Sequence, residues 1–161
     1  MTPRARVATW AGKGRVMGAD GLDDATIRRV LTETRRIAVV GASAKPWRPS
    51  NSVLGFLVGQ RYDVTPVNPG LSGQSIHGRP VVGRLAEAAP LEMVDVFRNA
   101  AHAGAVVDEA VRLGARVVWM QLGVIDHDAA ERGRQAGLSV VMDRCPVIEW
   151  RRLGLAEGRG E

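Results

Sequence analysis

Residues 37–50 of the chain read IAVVGASAKPWRPS, and this stretch decides the fold. Four apolar residues typical of a buried strand end at Gly41, a turn of small residues follows, and Ser50 is a residue type that begins helices. A strand, a tight turn and a helix N-terminus in that order form an anion site in α/β proteins, because their backbone N–H groups point at the ligand. Lys45 and Arg48 add positive charge. The stretch therefore predicts a site for a phosphate or pyrophosphate group.

The composition indicates one globular domain. The chain has 161 residues, of which 45% are hydrophobic, enough to bury a sizeable core. Its longest apolar run is far shorter than the roughly 18 residues that indicate a membrane-spanning helix. Cys145 is the single cysteine, which excludes an intrachain disulfide, and no apolar leader segment is evident near the N-terminus. We therefore expect a protein of the reducing cytoplasm.

The positive charge of the chain is concentrated near its start. The formal net charge is +5, and residues 1–16 carry four cations and no acid. The remaining chain is nearly neutral, which is not typical of a surface that recognises a specific nucleic-acid sequence. We therefore expect no specific nucleic-acid partner.

Apolar β-type segments alternate with helical segments five times along the chain. This alternation predicts an α/β fold with a doubly wound, parallel, five-stranded sheet, because parallel strands need long crossover connections. The predicted strands cover residues 37–40, 62–67, 93–97, 116–121 and 139–142, and the predicted helices cover residues 22–31, 50–60, 85–89, 101–113 and 126–137.

Small, polar and charged residues collect where the predicted strands end. Ligands of doubly wound sheets bind beyond the carboxyl ends of the strands, near the point where the strand order reverses. This edge supplies the candidate binding residues, which are Gly41, Ala42, Ser43, Lys45, Arg48, Val67, Asn68, Pro69, Phe97, Arg98, Gln121, Gly123 and Cys145.

Five segments in order carry a resemblance to a known family. They are VGASAKPWRPS (40–50), PVNPG (66–70), VDVFR (94–98), VWMQLG (118–123) and VMDRCP (141–146). The chain resembles the stand-alone CoA-binding domain family, Rossmann-like bacterial proteins similar to the N-terminal CoA domain of succinyl-CoA synthetase alpha subunits. The resemblance implies coenzyme A as the ligand, with Asn68 and Pro69 beside its adenosine part. The synthetase's second domain, which bears the phosphorylated histidine, has no counterpart here, and neither has a nucleotide-grasp module.

Charge, periodicity and the extent of the resemblance together divide the chain into three segments. We expect a flexible basic tail over residues 1–18, a CoA-binding domain over residues 19–150 and a polar C-terminal tail over residues 151–161. For residues 1–16 a second interpretation stays open, namely an extension upstream of a true start at Met17.

The residues favour a binding protein over two alternatives. An NAD(P)-binding protein is the first, but no G-x-G-x-x-G follows Gly41 and no acid closes the second strand. An accessory subunit of an acyl-CoA ligase or transferase, working with a separate catalytic chain, is the second. No Ser/His/Asp set occupies positions that the fold would unite. We expect binding of coenzyme A or an acyl-CoA without chemistry of its own.

Three further features of the sequence carry specific expectations. Trp47 is expected to anchor its loop by packing on the domain. Asp126 or Asp128 is expected to cap a helix, so that the Asp126-His127-Asp128 run is not a metal site. Cys145 is either a buried small hydrophobe or a thiol near the thiol of CoA, where Arg144 would favour the thiolate and a mixed disulfide would form on oxidation.

Overall fold

The structure is a computed structural model that describes residues 18–155. At its centre is a sheet of five parallel strands, which confirms the predicted doubly wound α/β fold. A short antiparallel hairpin lies between the second and third of these strands. In chain order, the strands of the sheet and hairpin are β1 (Arg36–Val40), β2 (Asp63–Val67), β3 (Ser75–Ile76), β4 (Arg79–Pro80), β5 (Met93–Val96), β6 (Val117–Met120) and β7 (Ser139–Val141).

Helices cover both faces of the sheet. Single 3-10 turns at Pro69–Leu71 and Leu85–Ala88 lie in the connection between β2 and β5, where the sequence predicted a helix for residues 85–89. One hydrophobic cluster joins the sheet to α1, α2 and α5, and a second joins its other face to α3 and α4. The helices are α1 (Asp24–Glu33), α2 (Pro49–Gly59), α3 (Ala100–Arg112), α4 (His127–Gln135) and α5 (Pro146–Arg152).

Side-chain caps begin three of the helices. The carboxylate of Asp23 accepts from Thr26 N, that of Asp126 accepts from Ala129 N at 3.0 Å, and the amide oxygen of Asn99 accepts from His102 N. Asp126 is therefore the cap of α4, one of the two residues that the sequence offered for this role.

The C-terminal segment differs from its prediction. Helix α5 continues to Arg152, and both Leu153 and Leu155 are buried, so the expectation of a polar tail is wrong for residues 151–155. The reason is tertiary, because Arg152 pairs with the carboxylates of Asp24 at 2.8 Å and Glu149 at 2.7 Å. Residues 1–17 and 156–161, the remaining parts of the two predicted tails apart from Gly18, lie outside the described residues.

The spatial order of the strands is β2-β1-β5-β6-β7, so the chain changes direction across the sheet between β1 and β5. Such a switch point opens a crevice at the carboxyl ends of the strands. Gly41 follows β1 at this place with a φ of 89°, and a Cβ there would lie 2.4 Å from the carbonyl oxygen of Phe97. Only glycine fits, because both the left-handed backbone and the close approach exclude a side chain.

Candidate functional site

A cleft of about 1360 Å³ lies over the switch point. Helices α2 and α5 supply two of its walls, and the segments after β1, β2, β5 and β6 supply the rest. Among the predicted binding residues, those that line this cleft are Gly41, Ala42, Ser43, Lys45, Arg48, Asn68, Phe97, Arg98, Gln121, Gly123 and Cys145.

Two predicted binding residues do not line the cleft. Val67 is buried, and its carbonyl oxygen accepts hydrogen bonds from Gly41 N at 3.1 Å and Ala42 N at 3.3 Å. Pro69 begins the 3-10 turn after β2. The carbonyl oxygen of Val67 therefore holds the loop after β1 in place, because it accepts hydrogen bonds from the first two N–H groups of that loop.

The next two peptide groups of this loop are held by asparagine side chains. Asn68 Nδ2 donates to the carbonyl oxygen of Ala42 at 2.7 Å, and Asn51 Nδ2 donates to that of Ser43 at 2.9 Å. Because C=O and N–H point in opposite directions across a trans peptide, these bonds turn the N–H groups of Ser43 and Ala44 away from the asparagines. Neither N–H has a hydrogen-bond partner within residues 18–155, and both residues line the cleft.

The β3–β4 hairpin supports this arrangement through His77. Its Nε2 lies 2.9 Å from Oδ1 of Asn51, and a Cβ at Gly55 would lie 2.8 Å from the His77 ring. Sequence reasoning missed both Asn51 and His77. The available signal was a glycine inside a helix, which weakens the helix and indicates a close neighbour.

The cleft is positively charged. The residues that line it include no aspartate and no glutamate, and its four cations are Lys45, Arg48, Arg98 and Arg151. Ion pairs to these four are absent from the part of the chain that the structure describes, although Arg151 lies 5.6 Å from the ring of Phe56. Arg151 was missed because the sequence placed it in a tail.

The exposure of the Trp47 side chain contradicts one expectation from the sequence. Its side chain is 75% exposed, so it does not anchor its loop by packing on the domain. The loop is held by backbone and side-chain hydrogen bonds instead, from Arg48 N to Lys45 O at 3.0 Å and from Lys45 N to Ser43 Oγ at 3.1 Å. The only ring contact described for Trp47 within residues 18–155 is with Lys45, whose Nζ is 6.0 Å from the ring centre.

Gln121 and Gly123 follow β6 at the floor of the cleft. Gly123 has a φ of 81° and donates its N–H to the carboxylate of Asp143 at 2.7 Å. Gln121 is 6% exposed, and its Oε1 is buried with no hydrogen-bond partner in the part of the chain that the structure describes. A buried acceptor without a partner is unusual in a folded protein, and it points to a missing donor at this place.

Cys145 lies at the N-terminus of α5 with 9% of its surface exposed. The guanidinium of the adjacent Arg144 bonds to the carboxylates of Asp20 at 2.8 Å and Glu149 at 3.1 Å. Burial acts to raise the pKa of Asp20, but hydrogen bonds from Arg144, Leu22 and Met142 lower it below its ordinary value. Arg144 therefore serves an ion-pair network, and the expectation that it acts on the thiol is not supported.

A buried acid lies in the central strand of the sheet. Asp95 occupies β5 between Val39 of β1 and Trp119 of β6, is fully buried, and neither of its carboxyl oxygens has a partner within residues 18–155. Burial raises the pKa of Asp95 well above its ordinary value, because it disfavours the charged carboxylate. Its signal in the sequence was a lone acid inside an apolar strand.

Comparison with known proteins identifies the family. The model of the CoA binding domain family matches residues 35–151, which includes every element from β1 to β7. The chain belongs to the CoA binding domain family. The resemblance found in the sequence is confirmed, and membership of this family supports the binding of CoA. In the described part of the molecule, no helix has the length and apolar character needed to span a membrane.

Relatives of this CoA-binding domain include one curated protein and several solved structures. YneT of Bacillus subtilis (strain 168) is 34% identical over 122 residues, which cover 75% of this chain and 89% of YneT. A hypothetical protein from Pyrococcus horikoshii OT3 is 37% identical, with a TM-score of 0.79 over 86% of this chain and 96% of its own. A Thermus thermophilus structure is 34% identical, with a TM-score of 0.77 over 82% of this chain and 99% of its own.

Proposed function

We propose that this protein binds coenzyme A or an acyl-CoA in the cleft, through the loop after β1, and performs no chemistry of its own. The observation that carries the proposal is the pair of N–H groups at Ser43 and Ala44, which have no hydrogen-bond partner within residues 18–155. Both residues line a cleft whose described lining contains cations and no acids. Backbone N–H groups beside a helix N-terminus bind phosphate oxygens well, because α2 begins there and its dipole favours negative charge.

The charges of the ligand match the charges of the cleft. CoA carries a pyrophosphate and a 3′-phosphate, so one ligand molecule has several negative charges. Lys45 and Arg48 follow β1 and Arg98 follows β5, on the two sides of the switch point. Hydrogen bonds between arginine or lysine and phosphate are among the strong ones in proteins. We propose that these three cations contact the phosphates.

Asn68 has a different role in this proposal from the one that the resemblance implied. Its amide oxygen accepts from Gly70 N at 2.8 Å, and its amide nitrogen donates to Ala42 O. The side chain therefore shapes the phosphate loop. We propose that Gly70 and Leu71, which line the cleft after β2, lie beside the adenosine part.

The absence of a general base supports a binding role. No histidine, aspartate or glutamate occurs among the described residues that line the cleft, so neither its serines nor Cys145 faces a base there. The same lack of acids disfavours NAD, whose ribose 2′-OH is held by a carboxylate after the second strand. We propose the reducing cytoplasm as the location, in agreement with the single cysteine.

Calorimetric titration with CoA, NAD and ATP tests the proposal. We expect CoA to bind with a micromolar Kd, which corresponds to about −8 kcal/mol. We expect NAD and ATP to bind at least tenfold more weakly. Equal or tighter binding of NAD would reject the proposal. Mass spectrometry of the freshly purified protein under native conditions adds a second readout, because a retained CoA appears directly as added mass.

A further inference from the structure

The cleft has an apolar wall that phosphate binding leaves unused. Val53 and Phe56 of α2, Val147 and Ile148 of α5, and Leu122 after β6 line it, and we name these five residues the acyl groove. Leu122 is 56% exposed and Ile148 is 50% exposed. Large aliphatic side chains that face one shared cleft from separate elements are typical of a surface that an apolar ligand covers.

The acyl groove extends across the cleft from the phosphate loop. Val53 and Phe56 lie on α2, the helix that follows the loop, whereas Leu122 follows β6 and the residues of α5 follow β7. The strand order puts β6 two positions from β1, and neighbouring strands are about 4.8 Å apart, so Leu122 follows a strand end that lies roughly 10 Å from that of β1. The cleft thus combines cations after β1 and β5 with an exposed aliphatic side chain after β6.

Gln121 lines the cleft at the end of β6, directly before Leu122. Its buried Oε1 has no hydrogen-bond partner within residues 18–155. The pantetheine arm of CoA contains two amide N–H donors and connects the phosphates to the sulfur. An acceptor at this place fits an arm that runs along the strand ends from β1 towards β7.

We propose that the acyl groove binds the aliphatic chain of an acyl-CoA thioester, so that the ligand class is acyl-CoA rather than free CoA. The inference rests on the proposed function, since the phosphates must first bind at the loop. A ligand with a polyanionic head and an apolar tail matches a cleft with cations at Lys45 and Arg48 and aliphatic side chains at Leu122 and Ile148. A ligand without a tail leaves these side chains in water.

Titration with CoA, acetyl-CoA, butanoyl-CoA and hexanoyl-CoA tests the inference. The groove is open on one side, so each methylene is expected to gain about half the free energy of full burial, which is roughly a twofold change in Kd. We expect hexanoyl-CoA to bind roughly 15-fold more tightly than acetyl-CoA, from which it differs by four methylenes.

Two matched variants locate the effect. Ile148 lines the groove, whereas Ile125 is a similarly exposed isoleucine, at 40%, that does not line the cleft. We expect Ile148→Ser to reduce the hexanoyl-to-acetyl affinity ratio at least threefold, and the Kd of free CoA is measured beside this ratio as the reference. Ile125→Ser is expected to change neither quantity.

The outcomes separate the two proposals. If CoA binds but chain length has no effect, or if both serine variants reduce the ratio equally, the acyl groove is rejected and CoA binding stands. If sedimentation shows a dimer that Ile148→Ser dissociates and chain length has no effect, the groove is an interface between copies and the inference is rejected. If no CoA compound binds, the proposed function itself fails.

Discussion

Asn51 donates a hydrogen bond from its side-chain amide to the carbonyl oxygen of Ser43 at 2.9 Å, which joins the first turn of α2 to the loop after β1. This bond fixes the orientation of the peptide between Ser43 and Ala44. The direction of the Ala44 N–H, one of the two N–H groups proposed to bind the anion, therefore depends on Asn51. Asn51 itself does not line the cleft.

Asn51→Ala is expected to weaken CoA binding about tenfold, because the loop then samples peptide orientations that cannot bind phosphate. Since Asn51 is buried and also contacts His77, we expect a loss of about 1–2 kcal/mol in the free energy of unfolding. Calorimetry and urea denaturation measure the two effects. His77→Ala removes only the contact between His77 and Asn51. We expect it to lower the free energy of unfolding and to change the Kd less than Asn51→Ala does. An unchanged Kd in Asn51→Ala would contradict the role of this bond.

Arg48→Ala and Arg98→Ala are each expected to weaken CoA binding by roughly 1–3 kcal/mol, the range for a charge-assisted contact that is lost from one side. Both side chains are exposed and without ion pairs in residues 18–155, so the free energy of unfolding is expected to stay unchanged. Arg84→Ala is the control, because Arg84 is exposed and lies outside the cleft. Equal losses of affinity in all three variants would point to general electrostatics and contradict specific phosphate contacts.

Asp95→Asn is expected to stabilise the protein at neutral and alkaline pH. The folded-state pKa of Asp95 is raised above the ordinary value of 3.8, so the folded protein retains a proton that the unfolded chain releases. The free energy of unfolding of the wild type therefore falls as pH rises from about 4 towards the folded-state pKa. The amide does not titrate, so we expect the stability of the variant relative to the wild type to increase between pH 4 and pH 8.

Urea denaturation of both proteins at pH 4, 6 and 8 measures this difference. The stability gap is expected to be smallest at pH 4, where Asp95 is largely protonated in both states. A gap that does not change with pH would show that Asp95 is charged in the folded protein.

Deletion of residues 1–16 is expected to leave the Tm and the Kd for CoA unchanged. The described domain retains Asp20, whose carboxylate accepts hydrogen bonds from Arg144 and from the N–H of Met142, directly after β7. Any non-specific DNA binding is expected to disappear with the four deleted cations and to be strongly salt-dependent before deletion. A weaker Kd after deletion would mean that the segment contributes to the site.

The sequence was sufficient to predict the strands of the sheet and most of the segments whose residues line the cleft. Apolar runs buried on both faces define the strands, and Gly41 marks the end of β1, because both signals are local. Asn51 and Arg151 were missed because polar residues on a helix usually face solvent, and only the packing of the hairpin and of Phe56 reveals their roles. The exposure of Trp47 was unpredictable for the same reason, since it depends on hydrogen bonds that form within the folded loop.

The ion pairs that join Asp20 to Arg144 and Asp24 to Arg152 connect residues more than 120 positions apart in the chain. The beginning and the end of the described domain are therefore neighbours in space. A domain with adjacent ends can be inserted into a loop of another protein, or its ends can be linked and the chain reopened elsewhere, with little strain. The exposed turn at Gly114, on the amino side of β6 and away from the cleft, is a suitable place for new termini. This architecture makes the domain a portable unit.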